Sequence, residues 1–187
     1  EDAAWAEPLA RSLVAGGLPV LEVTLRTPAA LEAIAAMARV EGAVVGAGTV
    51  ITTQDAHRAR AAGARFAVSP GLTDTLVGAC EECALPLLPG AATASEAMAA
   101  REYGFDMLKL FPAELISPRI VKAMRAVMPP GVRLLPVGGI APETMRDYRD
   151  AGVAGFGLGS ALYTPGMAVP ELARRAESFV AAWREIA

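Results

Sequence analysis

The chain has 187 residues, 53% hydrophobic but only 5% aromatic, with a net charge of −3. That is enough for one domain, residues 1–187, with a sizeable aliphatic core of the kind that packs helices around a parallel sheet. The acidic balance leaves no basic footprint for nucleic acid, and no apolar run approaches the roughly 18–20 residues that would cross a membrane.

In chain order, residues 3–15 have the periodicity of an amphipathic helix, stopped by Gly16 and Gly17. Residues 19–27, PVLEVTLRT, predict a strand, and Pro28 opens a helix to about Val40. A strand over 43–50 ends in GAGT, and residues 53–62 form a helix closed by Gly63. A strand over 66–70 ends in SPG and is followed by a helix over 73–83. Residues 85–89 form a strand, and residues 93–103 a helix closed by Gly104. The stretch Asp106–Ala113 (DMLKLFPA) reads as a buried strand, followed by a helix over 117–128. Residues 133–139 form a strand ending in GG, and residues 142–151 a helix. A glycine-rich strand over 155–160 and a last helix over 170–186 complete the chain.

Seven short strands, each followed by a helix, predict a parallel sheet with helices outside. An open doubly wound sheet and a closed (β/α)8 TIM barrel both fit. The barrel is favoured because glycine and polar residues sit at the C-terminal ends of nearly all the strands, not at one switch point. Residue 1 already lies inside a helical pattern, so the first of eight strands is expected upstream of it. A fragment without that strand is expected to melt lower than a longer chain.

Lys109 and Lys122 are the only lysines, against fifteen arginines. Lys122 falls on a solvent-compatible helix, whereas Lys109 is flanked by Leu108, Leu110 and Phe111. A buried ammonium is costly unless it is paired or loses its proton, and a lysine of lowered pKa is a nucleophile toward carbonyl groups. Side-chain alternation puts Glu22, Thr24 and Arg26 on one face of their strand and Lys109 on the same face as Met107 and Phe111. Glu22, Arg26, Thr49 and Lys109 would then converge on one cavity. Lys109 would form an iminium with a ketone, Glu22 would move protons, and Arg26 would hold an adjacent carboxylate, so a 2-oxo acid fits. A merely structural Lys109–Glu22–Arg26 ion network is the alternative. Glycine-rich strand ends at 137–140 (VGGI) and 157–160 (GLGS) suit a phosphate, or serve only as tight turns. Cys80 and Cys83 have metal or redox spacing, but His57 is the only histidine, so two helical thiols in a reducing cytoplasmic setting are expected.

The motifs LEVTLRT (21–27), GAGTV (46–50), SPGL (69–72), KLFPAE (109–114), VGGI (137–140) and GLGS (157–160) resemble the class I 2-keto-3-deoxy-6-phosphogluconate (KDPG) and 4-hydroxy-2-oxoglutarate (KHG) aldolases. The resemblance spans essentially the whole chain. It implies a homotrimeric (β/α)8 barrel, without metal or cofactor, that cleaves a phosphorylated 2-keto-3-deoxy sugar acid to pyruvate and glyceraldehyde 3-phosphate in the Entner–Doudoroff manner. Lys109 matches the Schiff-base lysine and Glu22 the general acid/base. Arg26 and Thr49 match groups on the pyruvyl carboxylate, and Phe111 the ring beside the imine. Gly138, Gly139, Gly159 and Ser160 match the phosphate site, and Pro70 a position at the mouth. Val137 departs from the gluconate pattern, which has Thr there, and resembles the 6-phosphogalactonate enzymes, so acceptance of both C4 epimers is expected. A non-catalytic barrel trimer and a metal-free sugar-phosphate isomerase are the competing readings.

Overall fold

The computed structural model describes residues 3–187. A single 3-10 turn, Ala3–Trp5, leads into α1 (Ala6–Ala15) and then β1 (Val20–Thr24). There follow α2 (Ala30–Met37), β2 (Val44–Gly48), α3 (Thr53–Ala61), β3 (Phe66–Val68) and α4 (Asp74–Glu82). Next come β4 (Leu87–Leu88), β5 (Gly90–Ala91), α5 (Ala94–Glu102), β6 (Met107–Leu110) and α6 (Pro118–Val127). The chain ends with β7 (Arg133–Pro136), α7 (Met145–Asp150) and α8 (Val169–Ile186).

Local chemistry explains where the helices start. Thr52 and Thr93 each cap a helix, accepting from the backbone of Asp55 and Glu96, whose carboxylates accept in return from the capping residues' N–H groups. Thr73 caps α4 in the same way without the return bond. Pro118 stands in the first turn of α6, where its missing N–H costs nothing.

Every strand pairing is parallel, in the orders β1-β2-β3-β4 and β5-β6-β7. Pro89 has no N–H to give and divides β4 from β5, but its carbonyl accepts from Lys109 N at 2.9 Å. The predicted strand over 155–160 shrinks to one bridge, Val137 to Gly157, with Gly157 N donating to Pro136 O at 2.9 Å. Three glycines in six residues leave few side chains there to pack a longer ladder. The fold is thus an α/β barrel-type wrap from β1 round to Gly157. Among the described residues no ladder pairing joins Gly157 to β1, and the strand expected ahead of residue 1 lies outside them.

The core forms between sheet and helices. One half gathers Leu21, Ile34, Val45, Ala56, Leu76 and Leu85; the other gathers Leu108, Leu110, Val121, Leu134, Leu172 and Phe179. Alanines let the helices sit close to the sheet: Ala56, Ala59, Ala97 and Ala100 are wholly buried. Cys80 is buried in α4, where burial and then its neighbour Cys83 push its thiol up to about 11. Both cysteines are free, and the Cys83 thiol donates to the Cys80 carbonyl, as expected of helical thiols. No helix among the described residues is long and apolar enough to cross a membrane.

Candidate active site

Register sets the lumen face. Glu22 pairs with Gly46, and Gly46 with Phe66, while Lys109 lies between Gly90 and Leu135. Paired residues of parallel strands point the same way. Leu108 and Leu110, on the opposite face from Lys109, are fully buried against the helices. Glycine makes room in this lumen. The Phe66 ring occupies the space a Cβ on Gly46 would take, and a Cβ on Gly48 would stand 1.9 Å from Glu22 Oε1. Glu22 therefore leans across Gly48 toward the cavity.

Lys109 is 7% exposed and, with Ser69, one of two buried polar or charged residues among those described. Burial lowers its pKa; the Glu22 charge opposes this, and Arg26 adds to it. Glu22 behaves conversely: burial raises its carboxyl and the Lys109 charge pulls it down. By area Glu22 is open to solvent, yet the lumen walls crowd it with protein atoms, and that crowding produces the shift. Among the described residues no ion pair within 4.0 Å involves Lys109, Glu22 or Arg26. The groups interact through space without being locked, so the closed structural network is not formed. Lys109 Nζ lies 4.9 Å from the centre of the Phe111 ring, itself partly exposed. That contact favours the cation and partly offsets burial.

The remaining expected residues divide into two groups. Thr49 directly follows β2 with φ of 58°, a left-handed conformation unusual for a β-branched residue. Pro70 brings its carbonyl to 2.3 Å from where a Gly90 Cβ would be, next to Lys109 in the ladder. Buried Ser69 fixes that turn by donating its hydroxyl to Gly71 O at 2.5 Å. Val137 points into the lumen and fills the space beside Gly157. Arg26 is exposed and also lines a surface hollow with Thr27, Pro28, Asp55 and Arg58. Gly138 and Gly139 have positive φ of 111° and 62°. Gly159 and Ser160 are exposed, and nothing stands within 4 Å of where a Gly159 Cβ would be. The first glycine pair thus needs glycine, whereas Gly159 is merely open.

Sequence reasoning missed three side chains: Phe66 in the lumen, Ser69 under the mouth, and Glu114, whose carboxylate lies on Gly138. Glu114 and Ser69 carried a signal, as the last letter of KLFPAE and the first of SPGL, and Phe66 carried none.

The sequence matches the aldolase family "KDPG and KHG aldolase" over residues 1–174. The chain belongs to that family. It is 50% identical over 146 residues to the KHG/KDPG aldolase of Escherichia coli strain K12, covering 76% of this chain and 68% of that one. The solved "Native KDPGal structure" superposes with a TM-score of 0.94 at 33% identity, covering 100% of this chain and 91% of the other. The KDPG aldolase of Legionella pneumophila, solved with pyruvate captured as a covalent carbinolamine, gives a TM-score of 0.81 at 36% identity, over 100% and 90% of the two chains. The KDPG/KHG aldolase family and its carbinolamine-bearing member describe the same chemistry that a buried lysine beside a carboxylate can perform.

Proposed function

We propose that the protein is a class I aldolase that cleaves 2-keto-3-deoxy-6-phosphogluconate to pyruvate and glyceraldehyde 3-phosphate. The observation that carries this reading is Lys109: a buried amine of lowered pKa, on the lumen face, coupled to a carboxylate. The neutral amine adds to the C2 ketone to give a carbinolamine, and loss of water leaves an iminium. Glu22 takes the proton from the C4 hydroxyl. The C3–C4 bond breaks, its electron pair moves into the iminium, and the aldehyde leaves. The resulting enamine takes a proton at C3 from Glu22, and water releases pyruvate. The raised Glu22 pKa suits a group that must hold a proton between these steps.

Arg26 and Thr49 are assigned to the pyruvyl carboxylate, with Pro70 and Phe111 beside the reacting carbons. Gly138, Gly139, Gly159 and Ser160 are assigned to the phosphate. We further infer a cytoplasmic homotrimer. The family resemblance supports it, and exposed large apolar residues such as Leu115 and Val127 suit association between chains without setting their number. Light scattering at three times the chain mass is the expected result.

Pyruvate with borohydride should add mass irreversibly at Lys109, and Lys109→Gln should abolish both adduct and cleavage while circular dichroism stays unchanged. An adduct that persists in Lys109→Gln overturns the assignment. A second reading, acceptance of the galactonate epimer, rests on lumen-facing Val137 and on the likeness to the KDPGal structure. A valine cannot hydrogen-bond the C4 hydroxyl, so it discriminates epimers weakly. The two kcat/KM values should then lie within about a thousandfold (roughly 4 kcal/mol); a wider gap refutes dual use.

A further inference from the structure

The Gly138–Gly139 turn already has an anion lying on it. A Cβ built on Gly138 would stand 2.3 Å from Glu114 Oε2 and 2.9 Å from its other oxygen, so the carboxylate covers the open face of this residue. The Glu114 stem passes over Gly139, with Cγ 3.1 Å from the corresponding point. The placement is anchored from both sides. Ala113 N donates to Val137 O at 2.9 Å, tying the residue before Glu114 to the residue before Gly138. The buried Tyr148 hydroxyl lies 3.1 Å from both Ala113 O and Ile116 O, bracketing Glu114 in the chain. The backbone of Glu114 is thus fixed while its side chain stays exposed. A fixed backbone under a free side chain lets the carboxylate move without disturbing the fold.

We propose that Glu114 is a specificity-determining residue that occupies the Gly138–Gly139 turn in the free protein and must be displaced by the phosphate of the substrate. This rests on the assignment of that turn to phosphate made above. A carboxylate and a phosphate dianion compete for one short turn, because like charges a few ångströms apart repel even where solvent screens them in part. Glu114 therefore weakens phosphate binding and keeps free inorganic phosphate from holding the site. Only a ligand with further attachment, through the Lys109 imine and the pyruvyl carboxylate, supplies enough binding energy to move it. A substrate lacking phosphate leaves Glu114 where it is.

The test compares the full chain with Glu114→Gln, which keeps size and removes charge, by calorimetric titration with inorganic phosphate. Glu114→Gln should bind phosphate about tenfold tighter, the order expected for removing one partly screened charge beside a dianion. Its preference for the phosphorylated over the unphosphorylated 2-keto-3-deoxy acid should rise by a similar factor in kcat/KM. Equal or weaker phosphate binding in the variant overturns the proposal, and so does an absence of phosphate binding by either protein. Pyruvate–borohydride labelling of both proteins reads the aldolase assignment separately. Labelling at Lys109 with no change in phosphate affinity refutes the role of Glu114 alone, whereas loss of labelling in the unmodified chain refutes the aldolase reading.

Discussion

Thr49 sits in a backbone region that a β-branched residue reaches only at a cost of about 1–2 kcal/mol, and it sits there directly after a strand lining the lumen. Strain of this kind persists where the side chain or its neighbours have a task. Glycine would accept φ of 58° without that cost, but at the expense of about 0.5–1 kcal/mol of chain entropy. The two terms nearly cancel, so Thr49→Gly should leave stability within about 1 kcal/mol of the parent in urea melts. The same change removes the hydroxyl assigned to the pyruvyl carboxylate, and one lost hydrogen bond to a charged group is worth about 1.5–3 kcal/mol. Half-saturation by pyruvate in the borohydride assay should therefore rise at least about tenfold. Unchanged pyruvate saturation would remove Thr49 from the site. The residue type was legible in GAGT, and its conformation was not: nothing local in the sequence demands a left-handed threonine after Gly48.

At the scale of elements, two lumen glycines look alike in sequence and differ in what opposes them. The Cβ of Gly48→Ala meets the far end of a flexible side chain, Glu22, whereas that of Gly90→Ala meets the Pro70 carbonyl and the Ser69 oxygen, which are backbone. Glu22 can swing away at little cost, but the β3–α4 connection is held by buried Ser69 and cannot. Gly48→Ala should keep its melting temperature within a few degrees while kcat falls about a hundredfold, the smaller end of a general acid/base contribution. Gly90→Ala should unfold more readily, by about 1–3 kcal/mol, as overpacked sites do. Thermal melts and steady-state rates on the pair separate the two cases; equal stability loss in both would show that Glu22 is as fixed as the backbone. Helix and strand order was readable in advance because its signals are local: Thr52 with Asp55, Thr93 with Glu96, and a glycine after α3, α5 and α7. What rests on Gly46, Gly48 and Gly138 was not readable, because Phe66, Glu22 and Glu114 reach those positions only through the packing of strands distant in sequence.

For the whole molecule, strand alternation foretold which faces meet, but not how the groups meeting there interact or whether the sheet closes. The sequence allowed a tight Lys109–Glu22–Arg26 network; the structure instead has an open lumen in which burial acts against both charges. This ties global stability to pH with opposite signs for the two residues. The folded Lys109 pKa lies below 10.5, so below it both states hold the proton and the burial cost is present in full. Between that folded value and 10.5 the unfolded chain binds more protons, stability rises with pH, and above 10.5 the cost is gone. The folded Glu22 pKa lies above 4.5, so its cost is absent below 4.5 and grows as pH rises through the folded value. Both costs coincide wherever the two residues are charged together, above the folded Glu22 value and below the folded Lys109 value, and there their mutual attraction offsets burial only in part. The double variant Glu22→Gln, Lys109→Met should therefore be more stable than the parent near pH 7, with a difference that narrows toward pH 10.5 and again toward pH 4.5. Urea melts of both proteins across that range read it directly. A difference that stays constant with pH, or a parent more stable at pH 7, would mean that the pair stabilises the fold and that catalysis costs the molecule nothing there.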